Sequence, residues 1–376
     1  MKKICYVVTI SLTIRAFFIP QLQKLAEIYD VTVICSTDNK LQYQLGDKIK
    51  YFPVDIPRGI ALKETIKAIR ELEAFFRREK FDMVQYSTPN AAFCASIASK
   101  SANIKVRNYH LMGYRYLGEK GVARFILKML EKISCKNSTS IECVCNSNLR
   151  LGVQEKIFPV NKATVVWNGS TGGVDLKKFD CNKRERWRTE IRKELDISEK
   201  DILFGFAGRI TKDKGINELI QAFLELKNES KLLLIGPPEG INTLDTKLWN
   251  WAKENESVLI HDAVSYIERY FAAMDVLILP SYREGFGNVI IEAAAMGTTA
   301  ICTNIQGPSD IIVDSTTGLL CNVKDANSLL ECMKTVLKNQ YYKELGSNAE
   351  NYVKNNYDNT ILCEKILERK RVLLES

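Results

Sequence analysis

Two glycine-punctuated segments in the second half of this chain carry residue types suited to holding a phosphate ester. The first reads Gly208-Arg209-Ile210-Thr211-Lys212-Asp213-Lys214-Gly215. It follows Ile202 to Ala207, an apolar run that reads as a buried strand, and a helix is predicted to begin near Gly215. A helix start offers unpaired N–H groups and roughly half a positive charge. Arg209 would add a planar fork of donors and Lys214 a mobile point charge, so the turn could hold a diphosphate. Taken alone, the segment also fits a basic surface turn.

The second segment reads Tyr282-Arg283-Glu284-Gly285-Phe286-Gly287-Asn288 and leads into a helix from Val289. Seven residues separate Glu284 from Glu292, which on one continuous helix would set them about 80° apart. Gly285 and Gly287 make the first half a loop, and glycine lets backbone N–H groups approach a ligand closely. Asn288 is read as the N-cap, aiming the helix start at the same phosphates. Glu292 in the first turns could accept two hydroxyl hydrogen bonds, as from a ribose.

The elements that must position these loops alternate. Ile4–Thr9, Val31–Ser36, Asp82–Tyr86, Ile104–Tyr109 and Ile141–Cys145 read as strands of a first unit, with helices over Arg15–Ile28 and Leu62–Arg78. Pro89 opens another helix, where its missing N–H costs little. The turn chemistry of Asn168-Gly-Ser-Thr-Gly-Gly-Val breaks the pattern, and Asn168 to Lys200 reads as the passage between domains. Strands then restart at Ile202, Lys231, Val258, Val276 and Thr299, after which helices are predicted to the end. The reading is α/β: two Rossmann-like, doubly wound domains facing a central cleft, each a parallel sheet covered on both faces. Residues 1–180 form the first domain and 181–357 the second. A helix over about 358–376 is expected to pack back on the first.

Composition narrows the class. The chain has 376 residues, 46% of them hydrophobic and 26% charged, as in a globular protein. Its 11 cysteines include no C-x-x-C pair and several lie in apolar runs, which favours reduced, packed thiols and a reducing compartment. Cys143 and Cys145 would share one face of a strand, and packing accounts for them better than metal. Lys2 and Lys3 before the apolar stretch Ile4 to Ile14 imitate a signal peptide, but polar Thr9, Ser11 and Thr13 interrupt it, so a buried first strand is the better reading. Charge is uneven: residues 1–180 hold 28 Lys and Arg against 16 Asp and Glu. A basic first half points to an anionic partner, with a solvated face as the plain alternative.

At Gly208-Arg209 through Lys214-Gly215, and at Pro280-Ser281-Tyr282-Arg283-Glu284-Gly285-Phe286-Gly287 leading to Glu292, the sequence resembles the family 4 retaining glycosyltransferases of the GT-B fold. Their E-x7-E signature stands as Glu284 and Glu292. The passage Asn168-Gly through Asp175 to Phe179 is similar to that family's interdomain region. Val7-Val8-Thr9 to Pro20, and Arg107 to Tyr116, resemble bacterial capsule and O-antigen members.

The resemblance implies a metal-independent hexosyltransferase. It would move a hexose or N-acetylhexosamine from a nucleotide sugar, UDP-linked by family frequency, to a lipid-diphosphate-linked glycan. Arg209 and Lys214 would hold the donor diphosphate and Glu292 the ribose. Glu284, with the backbone of Gly285, Phe286 and Gly287, would grip the donor sugar. Asn288 and Val289 would present N–H groups, and His110 would stand near the reacting sugar. His261 to Val264 would line the base pocket by backbone. Where many members have a Gly-Gly pair, this chain has Thr9 to Arg15, so Ser11, Thr13 or Arg15 would approach a substrate instead.

The basic first domain, with Arg115, Lys120, Arg124, Lys128 and Lys132 on or before a helix Val122–Lys136, would meet an anionic membrane. The expected location is the cytoplasm, peripheral on the inner face of the cytoplasmic membrane. No D-x-D pair holds a divalent ion, no cofactor is expected, and no nucleic-acid motif occurs. A non-catalytic nucleotide-sugar-binding protein of this fold would lack Arg209, Lys214 or Glu284. A nucleotide-sugar epimerase would want more histidines than the two present.

Overall fold

The apolar runs of the chain form two all-parallel sheets in a computed structural model that describes residues 1–59 and 61–375. The chain divides into one unit of Met1–Gly173 with Asn359–Ser376 and a second of Val174–Asp358. The strands of the first are β1 (Lys3–Val7), β2 (Asp30–Cys35), β3 (Ile49–Pro53), β4 (Met83–Ser87), β5 (Val106–Leu111), β6 (Ser140–Cys143) and β7 (Ala163–Val165). They lie in the order β3-β2-β1-β4-β5-β6-β7. The second unit holds β8 (Ile202–Ala207), β9 (Ser230–Ile235), β10 (Val258–His261), β11 (Val276–Leu279), β12 (Thr299–Thr303) and β13 (Gly318–Cys321), in the order β10-β9-β8-β11-β12-β13.

Both orders reverse direction once, between β1 and β4 and between β8 and β11. Parallel strands require crossover connections, and those running left and right from the first strand cover opposite faces. The loops leaving the two strands at the reversal are thereby left open to a ligand. Register is carried by burial on both faces. Along β1, Cys5 and Val7 join a core with Phe75, Phe76, Val84 and Ala95. Ile4, Tyr6 and Val8 join Phe18, Leu22, Val33 and Leu374 on the other side. A one-residue slip would exchange the two sets.

The helix Asn359–Glu375 belongs to the first unit. Lys370 on it is fully buried and reaches Glu142 of β6, Nζ to Oε2 2.5 Å. Burial alone would raise the Glu142 carboxyl, but the Lys370 charge and hydrogen bond outweigh it and hold it low.

Several expectations are corrected. The single helix over Arg15–Ile28 is two, Ser11–Phe17 and Ile19–Leu25, because Pro20 fits only a first turn. The edge strands β3, β7 and β13 were not legible: β3 is half exposed and carries Lys50 and Pro53, and β7 has three residues. β5 extends through Leu111, so His110 lies within the strand. Cys145 falls outside β6, capping the next helix, so it shares no strand face with Cys143. All 11 cysteines are free thiols. No helix of the described residues is long and apolar enough to cross a membrane.

Candidate functional site

In the second unit β8 and β11 pair directly, Val276 opposite Phe204 and Leu277 opposite Gly205. The loop Gly208–Gly215 and the loop Pro280–Gly287 leave these neighbouring strand ends. Gly215 joins them: its φ is +73°, and a Cβ there would stand 2.0 Å from the Pro280 carbonyl oxygen, so only glycine permits the approach. The Tyr282 amide donates to the Asp213 carbonyl at 2.9 Å, and Arg283 Nη2 to Asp213 Oδ2 at 3.2 Å.

Between the locked loops, Lys214 Nζ donates to Glu284 Oε1 at 2.6 Å. The buried Ser281 hydroxyl donates to the same oxygen at 2.7 Å, and Thr303 Oγ1 of β12 donates to the Ser281 carbonyl at 2.5 Å. The carboxylate is thus oriented from two sides before any ligand meets it. Burial opposes ionisation of Asp213, but the Thr211 hydroxyl and the charges of Arg283, Arg209 and Lys214 lower its pKa. Three cations therefore converge on one short turn. Arg209 is half exposed and its Nη1 lies 3.6 Å from Glu239 Oε2 at the surface, leaving its fork free to move.

The second loop enters its helix through Gly287, φ +97°, which is the N-cap of Asn288–Ala295. Asn288 is therefore the first helical residue and not the cap; a left-handed cap position suits glycine. Phe286 is buried against Tyr357, ring centroids 5.6 Å apart. Val289 and Glu292 follow within the helix. Burial, joined by the Glu268 charge and opposed by Lys178, raises the Glu292 carboxyl to about 7. The structure thus brings Arg209, Lys214 and Glu284 together, while Glu292 answers to Lys178 and Glu268. His261 ends β10 and its carbonyl accepts from the Gly236 amide at 2.9 Å.

In the first unit the reversal is marked by Thr9 and Thr88, whose hydroxyls lie 2.8 Å apart. Of the residues expected to approach a substrate from the first loop, Ser11 donates to Asp38 at 2.5 Å, Arg15 pairs with Asp38 at 2.6 Å, and Thr13 is buried. Asp38 thus braces the helix Ser11–Phe17, on which all three residues lie. His110 is buried, with Nε2 3.1 Å from Thr171 Oγ1 and its ring edge-on to Phe18. Burial, aided by Lys370 and opposed by Glu142, lowers its pKa to about 4, so the imidazole is neutral at pH 7.

Two of the basic residues expected to face outward are only half exposed and already paired. Arg124 and Lys128 lie over the Tyr116 ring and pair with Glu155 at 3.3 and 2.5 Å. Ser281, Thr171, Lys178 and Glu142 were not read from the sequence. Ser281 precedes the signature by three residues and was the nearest to a signal; the others depend on contacts between distant segments.

Residues 188–356 match the family described as Glycosyl transferases group 1, and residues 3–145 the family described as Glycosyl transferase 4-like. The chain is 30% identical over 371 residues to the capsular polysaccharide biosynthesis glycosyltransferase CapM of Staphylococcus aureus, covering 97% of this chain and 96% of that one. It is 24% identical over 350 residues to the UDP-Gal:alpha-D-GlcNAc-diphosphoundecaprenol alpha-1,3-galactosyltransferase of Escherichia coli, covering 90% and 88%. Among solved structures, Anabaena Alr3699/HepE in complex with UDP-glucose superposes with a TM-score of 0.79 at 16% identity, covering 99% and 100%. These structural likenesses concern the fold.

Proposed function

This chain belongs to the family 4 glycosyltransferases of the GT-B fold, and we propose that it is a retaining enzyme that moves a hexose or N-acetylhexosamine from a UDP-linked donor to a lipid-diphosphate-linked glycan in bacterial surface polysaccharide synthesis. The observation that carries the reading is the convergence of Arg209, Lys214 and Glu284 at the β8–β11 reversal. The acceptor class follows the name of the Escherichia coli relative, whose acceptor sugar sits on diphosphoundecaprenol. The first unit would take the acceptor and meet an anionic membrane from the cytoplasmic side.

In the transfer the bond from the sugar's anomeric carbon to the donor phosphate breaks. The sugar gains positive charge and the leaving diphosphate negative charge. Lys214, Arg209 and the helix start at Asn288 would stabilise that developing negative charge, and such preorganised groups act without reorganising at the moment of reaction. Glu284 would accept hydroxyl hydrogen bonds from the sugar, and Glu292 those of the ribose. The acceptor hydroxyl forms the new bond on the same face and gives its proton to a leaving phosphate oxygen. His110, neutral, would hydrogen-bond near the reacting sugar. The protein cations would carry the charge that a divalent ion could otherwise balance.

The test is a panel of nucleotide sugars incubated with the protein, with and without a lipid-diphosphate-linked sugar, reading nucleoside diphosphate release. Release from one donor that rises with acceptor and persists in EDTA is expected. No release from any donor, or complete loss in EDTA, would overturn the corresponding part of the proposal.

A further inference from the structure

The helix Gly121–Asn137 presents one face to the first unit and a second, apolar face to solvent. One side enters the first unit, where Glu131, Ser134 and Cys135 are buried. On the other, Val122, Phe125, Ile126 and Met129 are exposed, Val122 by 75% and Phe125 by 66%. Their spacing of three, four and seven residues makes one continuous stripe. Water disfavours such a stripe, and on a soluble surface it marks an interaction site.

Behind the stripe lies a cavity of about 200 Å³. Leu62, Phe93, Ile126, Leu127 and Leu130 form much of its wall, and Ile126 belongs to both wall and stripe. Leu62, also on the wall, is 74% exposed, so the cavity reaches the surface there. Asn90, on the same wall, fixes the segment before Leu62: its Nδ2 donates to the Pro57 and Gly59 carbonyls at 2.7 and 2.8 Å. An apolar cavity of about 150 Å³ already admits benzene, so this one has room for a length of hydrocarbon chain. Arg115, exposed, lines the cavity, and Arg58, Lys63 and Lys120 are exposed nearby in sequence. The charge complements an anionic headgroup, and the apolar stripe complements the layer beneath it.

We propose that the exposed stripe of the helix Gly121–Asn137 enters an anionic bilayer and that the cavity behind it seats one acyl chain of an anionic membrane lipid, with Arg115 at the headgroup. The inference rests on the membrane reading of the first unit and is independent of the donor chemistry. Burial pushes Glu131, on the cavity wall, up to about 7, with the Tyr109 hydroxyl opposing, so much of it is protonated near neutrality and tolerates a chain.

Vesicles of phosphatidylglycerol bearing a diazirine on the acyl chain test this by photolabelling and peptide mapping. Phe93 lies off the stripe, so labelling of its peptide reports the cavity. Strong Phe93 labelling is expected, at least tenfold weaker with phosphatidylcholine. Leu62→Trp, at the exposed opening, should cut it at least fivefold with unchanged circular dichroism. Phe125→Glu, on the surface, should reduce vesicle binding at least tenfold. Labelling confined to the stripe, labelling equal in phosphatidylcholine, or competition by a polyprenyl phosphate would overturn the assignment. Retained Phe93 labelling in a protein that releases no nucleoside diphosphate would instead count against the transfer reaction alone.

Discussion

Lys214 Nζ stands 2.6 Å from Glu284 Oε1 across 70 residues of sequence, so one cation of the site is already held by a carboxylate. A diphosphate arriving at Lys214 must compete with Glu284. Glu284→Gln should therefore tighten nucleoside diphosphate binding by up to about fivefold, equal to about 1 kcal/mol. Turnover should fall roughly ten- to a hundredfold, since a charged hydrogen bond to the donor sugar contributes about 1.5–3 kcal/mol. Calorimetry and product release measure the two; weaker diphosphate binding would remove the competition argument.

Lys214→Ala should lower turnover by about a hundredfold or more, as expected for a preorganised charge at a leaving group. Lys214→Arg should recover only part, because a fork cannot reproduce a point charge held at one oxygen. Unimpaired turnover of the alanine variant would refute the role.

Glu292 sits near 7 in the folded protein because its half-buried carboxyl is desolvated, with the Glu268 charge adding and Lys178 opposing. Ribose hydroxyls donate to the ionised form, so binding should release a proton and tighten as pH rises from 6 to 8, by up to about tenfold. The folded pKa is raised above the unfolded value, so the same group costs stability increasingly from about pH 4.5 to 7. Glu292→Gln should flatten the affinity profile and raise the melting temperature at pH 8 relative to pH 5. A Kd profile identical to that of the unsubstituted protein would contradict the assignment.

Gly215→Ala would place a methyl group 2.0 Å from the Pro280 carbonyl and a side chain at φ +73°. The loops must separate, at a cost of about 2 kcal/mol or more. Turnover should fall with it, whereas Gly46→Ala, with open space around its Cβ, should leave turnover unchanged.

Much of this was legible. Buried strands read as apolar runs, so β1, β2, β4, β8, β9 and β11 could be placed, and the strand–glycine–helix order put Arg209, Lys214 and Glu284 in neighbouring loops. What could not be read depended on distant pairs. Nothing near Lys370 announces a partner 228 positions earlier, and nothing near Arg124 and Lys128 announces Glu155. Their charges read as solvated because helical spacing was the only guide. The half-exposed β3 lacked an apolar run, and the Asn288 cap was misplaced by one residue because Gly287, at φ +97°, takes the cap position itself.

The Lys370–Glu142 pair also imposes an order on folding. Glu142 is made early and buried on β6, one strand in from the edge of the first sheet, yet the lysine that pairs with it is translated only after the whole second unit. Until then the nascent first unit must leave that carboxylate hydrated or protonated, with the face beneath Leu367 and Leu374 uncovered. The second unit, continuous in sequence, has no such wait, so the half that emerges later from the ribosome can be the first to finish.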